Sequence, residues 1–338
     1  FTQNLFKAAP VLVCQEILAS RGTARAVLAN SGQANACTGA EGLANCRATQ
    51  AMVAGLTGLE ADEILPLSTG VVGAHLKMDL WLDAVPKLVS NIGTRDAEAG
   101  GTVRLTVMAK GAGMICPNMA TMLCVALTDA KVARDPWQAM FGRAVEKTFN
   151  RVSVDGDTST NDTLAIMASG YAGNKEITEK NDDYKTFTAV LTDAFKKVAK
   201  KLAKDGEGAT KLLICKVDGA KDDKSAKIIS KSIICSSLVK AAMFGADANC
   251  GRILCAIGYS GAKTDVKRID VSYKSAKGEI LVCKDGNGLV FDEDKAKEIL
   301  LEDEIEILVK LGDGNASAEA YGCDLTYDYV KINGDYRT

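Results

Sequence analysis

Apolar and polar positions along the chain follow two periods, one of two residues and one near 3.6, and the periods alternate often enough to predict a mixed α/β protein. ARAVLAN (24–30) reads as a strand, EGLANCRATQAMVAGLTG (41–58) as a helix, and EILPLSTG (63–70) as an extended run that stops at glycine. A helix over 79–92 is expected to break or end near Pro86, because proline lacks the amide that an interior turn needs. TVRLTVMA (102–109) alternates as a strand. The glycine-rich turn KGAGMICPN (110–118) then leads into the apolar strand TMLCVALTD (121–129).

Residues 135–149 have helical spacing, RVSVDGDT (151–158) reads as extended, and STNDTLAIMASG (159–170) as a helix with a serine or threonine cap. YAGNKEITEKNDD (171–183) is the best linker in the chain, which predicts a boundary near Gly173 and domains of 1–173 and 174–338. Beyond it, Phe187, Leu191, Val198 and Leu202 recur at helical spacing. Lys196, Lys197, Lys200, Lys201 and Lys204 lie between them without an aromatic platform, so they read as a solvated helix face rather than a nucleic-acid surface. Strands are expected at KLLICKVDG (211–219), RIDVSYK (268–274), EILVCKD (279–285) and EIEILVKLG (304–312).

A length of 338 residues, at roughly 150 per domain, allows two domains or one large one. With 25% charged and 47% hydrophobic residues, disorder and coiled-coil readings fail. Forty-one basic residues against 43 acidic ones give a net charge of −2, which offers no pull toward nucleic acid or an anionic membrane and leaves a small molecule as the expected partner. No apolar run reaches the length of a membrane span. Eleven scattered cysteines, odd in number and without a CxxC pair, read as buried small hydrophobes in a reducing compartment, the cytoplasm or the interior of an organelle. The chain opens FTQNLFKAAPVL without a methionine, so residues upstream are expected. A single histidine, His75, removes multi-histidine metal sites, predicts no metal, and turns the search for a general base elsewhere.

Three loops resemble ligand motifs and fail on spacing. GAG (111–113) lacks the third glycine of a dinucleotide fingerprint, DGEGATK (205–211) lacks P-loop spacing, and DGDTSTND (155–162) lacks the glycine and glutamate of an EF-hand. PNMATML (117–123) is different. If the Ala120–Thr121 bond were cut, Thr121 would become an N-terminal nucleophile whose own α-amine, with a pKa of about 7.7 to 8.0, serves as the base. Taken alone, a threonine that opens a strand is also an ordinary β-branched structural residue.

The string AKGAGMICPNMATML closely resembles the self-processing segment of the ornithine acetyltransferase family, also called glutamate N-acetyltransferases, of arginine biosynthesis. NSGQANACTG (30–39), LPLSTGVVG (65–73), VDGDTSTNDT (154–163), DGEGATK (205–211), LVKAAMFGADANCGRILCAIGYSG (238–261) and GCDLTYDYVKINGDYRT (322–338) are similar to family motifs in family order. The resemblance implies an αββα sandwich, like N-terminal-nucleophile hydrolases in layering but distinct in connectivity, with a C-terminal α/β domain. It implies cleavage between Ala120 and Thr121, Thr121 as nucleophile, and Thr69 with Gly70 as the oxyanion hole. Lys110, Thr121, Glu207, Asn333 and Thr338 match the substrate-binding positions. The implied reaction moves the acetyl group of N2-acetylornithine to glutamate, needs no cofactor, and leaves acetyl-CoA open as a second donor. A self-processed aminopeptidase or amidase is the alternative. The implied assembly is a heterotetramer of two copies of each fragment, without nucleic acid or membrane. One departure stands out: the stretch from Asp79 to Lys110 is shorter than in the family and lacks its TTDT-like element.

Overall fold

The computed structural model describes residues 1–92, 103–116 and 122–335. Ala120, Thr121 and Thr338 lie outside the described residues. The first half of the chain forms α1 (Ala9–Ser20), β1 (Ala26–Gln33), α2 (Gly39–Thr57), β2 (Ile64–Val71), α3 (Met78–Ser90), β3 (Leu105–Lys110), β4 (Leu123–Thr128), α4 (Arg134–Lys147), β5 (Val152–Ser153) and β6 (Thr163–Ala168). The second forms α5 (Asp182–Lys204), β7 (Leu212–Ala220), α6 (Asp223–Cys235), α7 (Ser237–Phe244), α8 (Cys250–Gly258), β8 (Asp270–Ser275), β9 (Gly278–Lys284), β10 (Asn287–Gly288), α9 (Glu293–Leu300), β11 (Glu304–Lys310), β12 (Ala316–Cys323) and α10 (Tyr327–Asp335). The class is the mixed α/β one that the alternating periods predict.

The described residues form three sheets. β1 and β2 pair in parallel, β4 lies between antiparallel β3 and parallel β6, and seven strands run in the order β10-β9-β8-β11-β7-β12-β5. Helices cover the sheets because each strand has an apolar side to bury. β4 divides its side chains by parity. Leu123 joins a core with Val13, Cys14 and Ile17 of α1 and Leu65 and Leu67 of β2. Cys124 and Ala126 join a second core with Met140 of α4, Phe187, Leu191 and Phe195 of α5, and Leu212, Ile214, Tyr321 and Cys323 of the large sheet. That second core takes residues from both sides of Gly173, and β5 enters the large sheet from the N-terminal side by pairing with β12. The far face of the large sheet packs on α6 through Leu213, Cys215, Val217, Ile229 and Ile233. Among the described residues no helix is long and apolar enough to cross a membrane.

Two sequence expectations are corrected. Residues 159–170 are not a helix: 159–162 form a loop and Thr163–Ala168 is a strand, in parallel register with β4 from Leu123↔Thr163 to Thr128↔Ala168. The five apolar residues at 164–168 fit either state locally, and the ladder offered by β4 decides it. Pro86 neither breaks nor ends α3, which continues to Ser90. Its ring is exposed, so water can serve the carbonyl left without a donor. The lysine face of α5 is more tied down than its spacing implies. Lys196 pairs with Glu319 at 2.7 Å, Lys204 with Asp303 at 2.5 Å, and Lys200 sits over the Tyr321 ring.

DGEGATK ends in a buried cation. The Lys211 ammonium donates to the carbonyls of Met243 and Leu300, each at 2.7 Å, in the last turns of α7 and α9. These carbonyls lack partners inside their helices and lie at the negative ends of the helix dipoles. Replacing Lys211 with methionine keeps the stem, strands the Leu300 carbonyl, and leaves the Met243 carbonyl with the Ala246 N–H at 3.3 Å. We expect Lys211→Met to lose about 1 to 3 kcal/mol of stability in chemical denaturation; an unchanged midpoint would refute the capping role.

Candidate active site

The STG loop ends β2 beside β1, with Ser68, Thr69 and Gly70 opposite Asn30, Ser31 and Gly32. Gly70 has φ +130, and a Cβ there would stand 2.3 Å from the Gly32 carbonyl carbon and 2.7 Å from the Gln33 nitrogen. Only glycine fits that conformation and that approach. Thr69 is buried. Its hydroxyl oxygen accepts a bond from the Lys110 ammonium at 3.5 Å, which leaves its own proton to be donated elsewhere. Lys110 ends β3 and lies opposite Leu123 in the ladder, so the cation stands beside the start of β4.

Asn161 and Asp162 join these pieces. The Asn161 amide donates to the Ala34 carbonyl at 2.6 Å and to the Ser68 carbonyl at 2.8 Å, gripping the residue before Thr69. Asp162 accepts the Met122 N–H at 3.1 Å, the amide that follows residue 121. One dipeptide therefore holds the STG loop and the start of β4 to the same point. Burial pushes the Asp162 carboxyl up to about 9, against the pull of the Met122 N–H. Its Oδ2 atom is buried with no hydrogen-bond partner among the described residues. Sequence reasoning missed both roles, because Asn and Asp after Ser-Thr also signal a cap.

Glu207 and Asn333 form a second group. The Asn333 amide donates to the Glu207 carboxylate at 3.0 Å, and the Glu207 N–H donates to the Ala112 carbonyl at 3.0 Å. The carboxylate rests on Gly113, where an added Cβ would fall 2.4 Å from Oε2. The turn after β3 thus carries Lys110 at its start and Glu207 on its surface. The loop that bears Glu207 is clamped by the C-terminal segment: Asp324 accepts the N–H groups of Thr210 and Lys211 at 2.9 Å, and the Thr326 hydroxyl donates to the Gly208 carbonyl at 2.7 Å. Thr69, Gly70 and Lys110 are thus brought together, as are Glu207 and Asn333.

His75 has its Nδ1 3.4 Å from Glu41 and is exposed, joined to none of these residues. All eleven cysteines are free. Among the described residues no group of three or more His, Cys, Asp or Glu is placed to hold a metal.

The sequence model of the ArgJ family matches residues 1–338. The arginine biosynthesis bifunctional protein ArgJ of Caldanaerobacter subterraneus subsp. tengcongensis is 45% identical, with all of this chain and 89% of that protein aligned. The protein of the same name from Nitratidesulfovibrio vulgaris is also 45% identical, over all of this chain and 90% of its own length. A chloroplastic one from Ostreococcus lucimarinus is 42% identical over all of this chain and 80% of its own. The crystal structure of the arginine biosynthesis bifunctional protein ArgJ from Bacillus halodurans matches with a TM-score of 0.59 at 44% identity, over 62% of this chain and 96% of that one.

The raised Asp162 carboxyl makes stability depend on pH. Unfolded, the group titrates near 4; folded, it holds its proton to about 9. The folded state binds the extra proton between these values, so stability is highest below the window and falls as pH rises through it. Asp162→Asn keeps an acceptor for Met122 and never ionises. We expect its melting temperature to fall less than wild type's between pH 5 and pH 9; identical slopes would show that Asp162 is ionised in the native protein.

Proposed function

The chain belongs to the ArgJ family, and on that premise we propose that it is an acetyltransferase of arginine biosynthesis that carries acetyl from N2-acetylornithine to glutamate on Thr121. The observation that carries the reading is the convergence of Thr69, Lys110 and the Met122 amide around Asn161 and Asp162. A hydroxyl, a cation and the chain bonded to Thr121 meet there.

In the proposed reaction the Thr121 hydroxyl attacks the acetyl carbonyl, and its α-amine, freed by cleavage after Ala120, takes the proton. The oxyanion receives the Thr69 hydroxyl and the Gly70 N–H. Collapse expels ornithine as the amine, with the proton returned to it, and leaves an acetyl ester. The glutamate amine then attacks that ester and restores the hydroxyl. Lys110 meets a substrate carboxylate, and Glu207, oriented by Asn333, meets a substrate ammonium. Thr338 is a further substrate-binding residue by the family resemblance, and the mature assembly holds two copies of each fragment. Relatives bear the word bifunctional in their names, which makes acetyl-CoA the second donor to test.

Purified protein given N2-acetylornithine and glutamate should release ornithine and N-acetylglutamate. Release of acetate without N-acetylglutamate would instead identify an amidase that hands its acyl group to water. Denaturing mass analysis should find fragments 1–120 and 121–338, and Thr121→Ala should leave one chain. A single intact polypeptide in fully active wild-type enzyme would overturn the mechanism.

Thr69→Ala removes one oxyanion donor and should lower turnover by about 10² or more. Substrate affinity and melting temperature should change little, since the donor acts on charge that develops in the transition state. Normal turnover in the folded, processed variant would sink the assignment.

A further inference from the structure

Two thiols meet at the end of the 111–116 turn. The sulfurs of Cys116 and Cys235 are 3.8 Å apart, and both side chains are half-buried. Cys116 is fixed by its backbone: its carbonyl accepts the Thr158 hydroxyl at 3.0 Å, and Ile115 before it bridges to Thr158. Cys235 is the last residue of α6. Lys231, one turn earlier on that helix, places its ammonium 3.6 Å from the Cys116 sulfur and 2.8 Å from the Val152 carbonyl. Hydrogen bonding between the two sulfurs, in which either can donate, and the charge of Lys231 draw the Cys116 thiol below its ordinary range, against burial. Of the two, Cys116 is the one that the Lys231 ammonium touches, and thiolate character beside a cation is what makes a cysteine reactive.

We propose that Cys116 and Cys235 are a redox couple that hydrogen peroxide oxidises to an intramolecular disulfide. The Cys116 thiolate attacks one peroxide oxygen, the O–O bond breaks, and the sulfur becomes a sulfenic acid as the other oxygen leaves as water after taking a proton. Cys235 then attacks the Cys116 sulfur. The S–S bond forms, the S–O bond breaks, and the hydroxyl leaves as water with the Cys235 proton. In sum, two thiols and one peroxide give one disulfide and two waters. The sulfurs must close from 3.8 Å to about 2.05 Å, a movement within reach of side-chain rotation at a helix end. The bond would staple the chain just ahead of Ala120 to α6. In a chain cleaved after Ala120 it would also join the two fragments covalently; that consequence rests on the cleavage proposed above, whereas the pairing itself does not.

Peptide mapping of the full-length protein after a brief exposure to hydrogen peroxide, with free thiols blocked by iodoacetamide, tests the pairing whether or not the chain is cleaved. The expected product is a linked pair of peptides carrying Cys116 and Cys235, two hydrogens lighter than their sum and separated by dithiothreitol. In Cys235→Ser, dimedone should trap the sulfenic acid on Cys116. On untreated protein at pH 6, iodoacetamide should modify Cys116 at least about tenfold faster than the exposed Cys255. Oxidation of Cys37 or Cys255 with Cys116 and Cys235 left reduced would overturn the proposal, as would alkylation of Cys255 ahead of Cys116.

Discussion

The buried amide of Asn161 is the contact on which the candidate site depends. Its two protons go to the carbonyls of Ala34 and Ser68, and its oxygen accepts the Thr160 hydroxyl at 2.6 Å. Ala34 follows the end of β1 and Ser68 lies within the neighbouring β2, so one side chain ties the two strands together near the end of their ladder. An apolar side chain at 161 would leave two buried acceptors unpaired, at about 1 to 3 kcal/mol each. Because Asp162 holds Met122 on the other side, the same two residues set how far the STG loop stands from the start of β4. The spacing of these candidate elements is thus fixed by satisfied polar groups rather than by packing alone.

Much of this was legible in the sequence. Strict alternation at Ile305, Ile307 and Val309 marks β11, and the helical spacing of Phe187, Leu191 and Leu202 marks α5. Chemistry was legible where residue type and context agree, as for glycine at 70, whose positive φ and close contact admit nothing larger. What could not be read is what distant chain segments decide. Thr163–Ala168 is a strand only because β4 lies beside it, and Lys211 looks like part of a ligand loop until two helix ends are seen converging on it. Asn161 and Asp162 look like cap residues until Ser68 and Met122, far away in sequence, arrive as partners.

The seven-stranded sheet adds a constraint of another kind. β12 (316–323) lies between β7 and β5, so among the described residues β5 (152–153) is held to the sheet through a strand made long after it. β5 leads directly to Val154 and Asp155, whose bonds fix Ile115 and Met114 in the turn ahead of the candidate cleavage point. Asp324 and Thr326, which clamp the loop around Glu207, come later still. During synthesis on the ribosome, β5 and this turn must therefore wait for β12, encoded far downstream, before they reach their native partners. The native geometry of that turn thus cannot form on the first half of the chain alone, and the nascent N-terminal segment stays unlocked until β12 has emerged.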